Sequence, residues 1–317
     1  MAELQNIANT VSCGLTSFLG GGDEGCSFEF DNFSGGQVRL WKKGHVIPKD
    51  TVKDRAFMRA QQRAGNLKVL RGIYGIEWTP SENSKGTSDD SGLSRVTRRG
   101  IYSGKVMFSK GIHSHKQFDS ISLNDYWSIE LTDGSGNELF TTTVNGDYKG
   151  MDTSYVVAAP LQLKVGSNVF QTGIEFELSN STEVDKRLAY NKGESLDYGN
   201  DLDGINDAAI SIPVAPADGE TVINVKAVLL KDGSFHSGLI AADVLVKKSD
   251  GSTISATIGT ADEAAKTYPL TIAAMATGEV YTVSYYDSSA NSGVILRGVA
   301  PNDKLFKSNP ATTVVVA

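Results

Sequence analysis

Gly173-Ile174-Glu175-Phe176-Glu177-Leu178 alternates apolar and acidic side chains without a break, which puts Ile174, Phe176 and Leu178 on one side and Glu175 and Glu177 on the other. A period of two belongs to a strand with one buried face. The glutamates need no other role than facing solvent. Similar runs lie on the N-terminal side: Leu67–Ile73, Gly100–Phe108, Tyr126–Thr132 and Leu161–Val165, with Asp133-Gly134 and Asn145-Gly146 as hairpin signals between apolar stretches. Ser81–Ser94, rich in Ser, Gly and Asp, is expected to be a mobile loop. Thirty-three glycines against eight prolines punctuate these runs, as in chains of short strands joined by tight turns.

One helix interrupts the pattern. Residues 51–64 follow Pro48, with Asp50 as the expected N-cap and Gly65-Asn66 as the stop. Val52, Ala56 and Ala60, with Phe57 beside them, form the expected apolar stripe, while Arg55, Arg59 and Arg63 recur every four residues as an exposed ridge. Before it, residues 1–37 read as an N-terminal arm, a short amphipathic piece (Ile7, Val11, Leu15, Phe18, Leu19) ahead of Gly20-Gly21-Gly22. Such a piece buries its apolar residues on a neighbour.

Residues 38–190 are therefore expected to form a β-rich, sandwich- or barrel-like assembly domain with one substantial helix. Residues 191–207, acidic and poor in aliphatics, are expected to be a linker. About seven strands at intervals near ten residues then fill 208–317, which fits an immunoglobulin-like β-sandwich without the cysteine pair and core tryptophan of antibody domains. The fold class is mainly β.

Composition narrows the function. With 30 Lys plus Arg against 37 Asp plus Glu, the net charge of −7 argues against a surface coated with nucleic acid. No run of about 18 apolar residues predicts membrane insertion, and Met1-Ala2-Glu3-Leu4-Gln5-Asn6 does not read as a secretory signal, so assembly in a bacterial cytoplasm is expected. Cys13 and Cys26 read as free thiols. His113 and His115 lack a third ligand at metal spacing. Asp201-Leu202-Asp203-Gly204 looks like part of a calcium loop, but the closing position is Ile210. Gly20–Gly25 lacks the Lys-Ser/Thr of a phosphate loop, and Gly-x-Ser-x-Gly does not occur. No cofactor, metal or catalytic residue is expected.

Charge is unevenly spread. Residues 37–71 carry ten positive side chains against Asp50 and Asp54, a local balance of +8, whereas 194–207 hold five carboxylates and no Lys or Arg. Basic and acidic patches on one protomer permit head-to-tail contacts that grow rings or tubes, and pairing within the chain is the alternative. Arg55, Arg59, Arg63, Asp197, Asp201, Asp203 and Phe18 are the candidate inter-subunit contacts, and the basic region is the one place where nucleic acid could bind.

From Gly65 to about Arg187, Gly65-Asn66-Leu67-Lys68-Val69-Leu70-Arg71-Gly72-Ile73, Arg98-Arg99-Gly100-Ile101-Tyr102, Phe108-Ser109-Lys110-Gly111, Glu130–Asn137 and Glu175–Leu178 follow in an order that resembles virion structural proteins of tailed phages and prophages of Bacteroidota. The resemblance covers roughly 40% of the chain. It implies a non-enzymatic virion component in tail or capsid, with itself and other virion proteins as partners, and it carries no catalytic or ligand positions. The alternatives are an adhesin or receptor-binding module whose C-terminal domain stacks host glycans on Tyr285, Tyr286 or Trp127, and, more weakly, a glycan-active enzyme. On the leading reading, Arg55→Glu with Arg59→Glu weakens assembly and leaves the monomer folded.

Overall fold

The computed structural model describes residues 5–6, 33–52, 54–88, 93–98, 100–108, 115, 118–119, 121, 123–124, 126–163, 170–180, 184, 187–191, 202–298 and 302–317. Among them, the residues up to Gln61 with Gly65–Leu202 form one compact unit, and Gln62–Ala64 with Asp203–Ala317 form the other. The fold is mainly β with one substantial helix, in agreement with the sequence. The arm residues 7–32, including Phe18, lie outside the described residues.

The first unit holds β1 (Gln5–Asn6), β2 (Gln37–Lys42), helix α1 (Arg55–Arg63, whose last two residues group with the second unit), β3 (Leu67–Arg71), β4 (Ile73–Pro80), β5 (Ser84–Ser88), β6 (Leu93–Arg98) and β7 (Tyr102–Phe108). It continues through β8 (Leu123–Asn124), β9 (Trp127–Thr132), β10 (Glu138–Thr142), β11 (Tyr148–Lys149), β12 (Met151–Ala158), β13 (Gln162–Leu163), β14 (Phe170–Leu178) and β15 (Leu188–Asn191). Its main sheet runs β1-β15-β10-β9-β12-β14-β7-β4, with β2 laid between β9 and β3. As the alternation demands, Ile174, Phe176 and Leu178 are buried, and Glu175 faces out beside Lys105, its register partner, at 3.2 Å. Both hairpin signals fold as turns. Gly136 and Gly146 take φ of 84° and 82°, values that favour glycine, and Thr143 N–H closes the second turn on the Asp147 carbonyl at 2.8 Å.

Two differences from the sequence reading stand out. The helix begins at Arg55, because residues 48–51 are used in a turn closed by Thr51 N–H on the Pro48 carbonyl. Asp54, not Asp50, is its cap, with Oδ1 accepting from Ala56 N–H at 2.8 Å. The expected loop 81–94 contains β5 and the start of β6, which pair as a two-stranded antiparallel ribbon.

In the second unit, β16 (Ile205–Ser211), β17 (Val222–Leu229), β18 (Val244–Lys248), β19 (Thr253–Ile254), β20 (Thr257–Ile258) and β21 (Thr267–Thr271) are followed by β22 (Val280–Tyr285), β23 (Val294–Arg297), β24 (Lys304–Asn309) and β25 (Ala311–Val314). One sheet runs β20-β21-β17-β16-β24-β23 and the other β19-β18-β22-β25. From β20 to β16 and from β19 to β25 this is the D-E-B-A and C′-C-F-G order of an immunoglobulin sandwich. The β23–β24 hairpin is an insertion between F and G, and it joins the first sheet where β24 runs parallel to β16. A single cluster, including Val225, Leu270, Tyr281, Val283 and Ile295, fills the space between the sheets. The expected linker 191–207 is ordered at both described ends: Asn191 closes β15, Leu202 is fully buried, and Ile205 starts β16.

Close backbone approach fixes the register of the strand that opened the sequence reading. A Cβ on Gly173 would lie 2.3 Å from the Val106 carbonyl oxygen of the neighbouring strand. Gly173→Ala is therefore expected to destabilise the first unit by roughly 1–3 kcal/mol, read as a lower denaturant midpoint with unchanged slope.

Candidate functional site

The two central strands β2 and β9 are buried on both faces. Val38, Leu40, Ile129 and Leu131 enter one apolar cluster. Trp41 enters another, with Met58, Leu67, Phe140, Tyr148 and Leu202. On that second face, Arg39 stands opposite Glu130 in register, and Glu138 of β10 stands opposite Thr132 and Asn191. All three charged side chains are 0% exposed.

Their geometry is that of one bonded group. Arg39 Nη1 donates to Glu130 Oε1 at 2.8 Å and also pairs with Glu138 Oε1. Trp41 Nε1 donates to Glu130 Oε2 at 2.7 Å, and Asn191 Nδ2 to Glu138 Oε2 at 3.2 Å. Burial pushes the Glu138 carboxyl up to about 7, against the pull of Arg39 and with the help of the Glu130 charge. Burial dominates because a desolvated carboxylate is expensive and the one guanidinium is shared between two acids. Chemically this is a closed charge layer. It fixes strand register, and all three side chains are out of contact with solvent.

The arginine ridge is not exposed. The inward face of α1 is Arg55, Met58, Arg59 and Gln62, at helical spacing, with Arg55 8% and Arg59 1% exposed, while Ala56 of the expected apolar stripe faces solvent. Methylene stems cover apolar surface while the guanidinium finds polar partners, and that lets an arginine face turn inward. Arg63, in the second unit, is half-buried and pairs with Asp287 at 2.6 Å. With Arg39 also in the core, the local +8 is not a surface patch. Nucleic-acid contact through 37–71 loses three of its ten positive side chains. Lys42 and Lys68 lie over the rings of Tyr126 and Trp127.

Of the acidic candidates, Asp197 and Asp201 lie outside the described residues. Asp203 is half-buried, and its carbonyl accepts from Gln62 Nε2 at 2.7 Å. The calcium-like stretch is anchored by its backbone: Leu202 is fully buried and its carbonyl accepts from Gln37 Nε2 at 3.1 Å. His113 lies outside the described residues, and His115 Nδ1 is 3.2 Å from Thr172 Oγ1. Trp127 and Tyr285 are each 2% exposed, so they are core residues and not sugar platforms; Tyr286 is half-buried and donates to Asn291 Oδ1 at 2.8 Å. Among the described residues, no cluster of His, Cys, Asp and Glu could hold a metal, and no helix is long and apolar enough to cross a membrane. Sequence reasoning missed the charge layer. Its one signal was a charged residue, Arg39, Glu130 or Glu138, in each of three strands that are otherwise apolar at alternate positions or mostly apolar and Thr.

Two predictions follow from burial. Arg55→Glu with Arg59→Glu places acids where the helix faces inward and is expected to unfold the first unit, seen as loss of its near-UV circular dichroism; retained folding would return the ridge to the surface. Glu138 binds its proton more tightly folded than unfolded, so its contribution to stability is full below the unfolded value near 4.5 and falls as pH rises through about 7. Glu138→Gln is expected to remove that decline and to stabilise the chain by roughly 1–3 kcal/mol at pH 8, measured by urea denaturation at pH 5 and pH 8.

No protein-family model matches the chain, and no curated protein matches it.

Proposed function

We propose that the chain is a non-enzymatic structural protein of a tailed-phage particle, which assembles with copies of itself through its first unit and carries the sandwich as a second module. The observation that supports this most is the β5–β6 ribbon. Its strands pair only with each other and with no other described strand of the chain. A two-stranded hairpin is marginal in water by itself, and it gains stability by lying on another surface. In a homo-oligomer the neighbouring subunit supplies that surface.

The ribbon belongs to the stretch that resembles virion proteins, and its strands carry Lys85, Arg95 and Arg98 and no acid, while Asp89 and Asp90 lie in the connection between them. Contact with an acidic neighbour suits that charge, and the chain's own excess of 37 acids over 30 bases makes a second copy such a neighbour. A contact between two different patches is heterologous, and it closes into rings or extends into tubes. The ribbon takes over the role that the sequence reading gave to the arginines of the helix.

Electron microscopy and light scattering of the full-length protein over a salt series test the reading. Rings, tubes or shells that dissolve at high salt are expected. Replacing residues 84–98 by a short Gly-Ser turn is expected to abolish them with the thermal transition unchanged. A monodisperse monomer at every salt and concentration overturns the proposal.

A further inference from the structure

The second unit buries a polar cluster that its sandwich order does not require. His236 lies between β17 and β18 and is 4% exposed. Its Nδ1 is 2.6 Å from the Tyr285 hydroxyl on β22, and its ring packs on Phe306 of β24 with centroids 4.2 Å apart. Its carbonyl accepts from the Tyr268 hydroxyl of β21 at 2.8 Å, and its N–H donates to the Ala227 carbonyl of β17. Arg297, on β23, is the positive charge near the imidazole, and it pairs with Asp243 in the short 3-10 turn Ala241–Asp243. The inserted hairpin β23–β24 is held on the sandwich by the parallel β24–β16 ladder and by Ile295 and Phe306 in the core cluster, and Phe306 on His236 and Arg297 on Asp243 add an aromatic and a polar contact there.

Nε2 of His236 is buried and has no hydrogen-bond partner among the described residues. An imidazolium carries an N–H on both nitrogens. Protonation from solvent would therefore leave a buried donor unsatisfied at Nε2 and place a second cation beside Arg297, whereas the neutral tautomer that donates from Nδ1 to Tyr285 has only an uncharged acceptor at Nε2. Moving the hairpin, whose Phe306 covers the ring, would give the charged ring water. We infer that His236 is an acid-operated latch on the inserted hairpin: neutral it holds β23–β24 against the sandwich, and protonated it releases them.

Desolvation first, and the Arg297 charge second, hold the docked imidazole down at about 4, against 6.5 for the free side chain. The docked form thus stays neutral over a range in which the released form takes up a proton. Release is favoured about tenfold per pH unit as pH falls from 6.5 towards 4, a few hundredfold in all. Tyr285, with its hydroxyl pushed up by burial, stays protonated throughout. Asp243 is the other group whose protonation could loosen the hairpin, by breaking its pair with Arg297.

Hydrogen exchange on the full-length protein between pH 7.5 and pH 4, corrected for intrinsic rates, tests the latch. The amides of β23 and β24 are expected to lose protection about tenfold per unit below pH 6.5 while those of β17 and β21 keep theirs. In His236→Phe, or His236→Gln where Phe does not fold, hairpin protection is expected to be flat with pH. An equal loss in the variant assigns the effect to Asp243 and overturns the latch, as does simultaneous loss in β17 and β21.

Discussion

Two carboxylates sharing one guanidinium, sealed between two apolar clusters, constrain the first unit more than any other contact in it. Arg39, Glu130 and Glu138 come from three strands, and each sits where the register of β2 on β9 and of β9 on β10 puts it. A slip by one residue would turn all three towards Val38, Leu40, Ile129 and Leu131 and bring those apolar side chains to the polar side. A well-packed apolar replacement of the whole group could be as stable, so its value lies in excluding other registers, whereas removing Arg39 leaves two buried carboxyls without a counter-charge. Gln37 and Asn191 extend the constraint. The first holds the Leu202 carbonyl and the second the Glu138 carboxylate, so the chain segments on both sides of 192–201 are tied to this layer.

That layer also explains which parts of the fold were legible in the sequence. Where one face of a strand meets solvent, period two is plain, and Ile174, Phe176 and Leu178 went inward as the alternation demanded. Trp127–Thr132 alternates just as cleanly, but all six residues are buried, so polarity there marks the bonded face and not the wet one. The same confusion misled the helix reading. Arginine every four residues looks like a solvated ridge, but Arg55, Arg59 and Gln62 form the buried side together with Met58. Periodicity identified the face correctly and polarity assigned it to the wrong side.

In the second unit the strand count and spacing were enough for a sandwich, because strands such as β17 and β22 alternate cleanly against a single core. What escaped was β24, Lys304–Asn309, whose lysines and polar end hide Leu305 and Phe306, and the start of β16 inside an acidic stretch. These two strands pair in parallel, with Lys307 opposite Asp207 in register and 3.3 Å from it. A pair that joins residues about a hundred positions apart, by charges facing one another, has no local signature. It is visible only once both strands are placed.

The cysteines, the glycine-rich start and Phe18 fall outside the described residues, so the surviving evidence on function is what the described strands do with their charges. Most of the conspicuous positive side chains of 37–71 that looked like a docking surface are engaged otherwise: Arg39 in the layer, Arg55 and Arg59 on the inward face of the helix, Arg63 with Asp287, Lys42 and Lys68 over aromatic rings. The β5–β6 ribbon differs from all of these. Its two strands are paired with each other and with no other described strand. A two-stranded ribbon gains stability from a further surface, and under the assembly proposed above a second copy of this acidic chain is that surface.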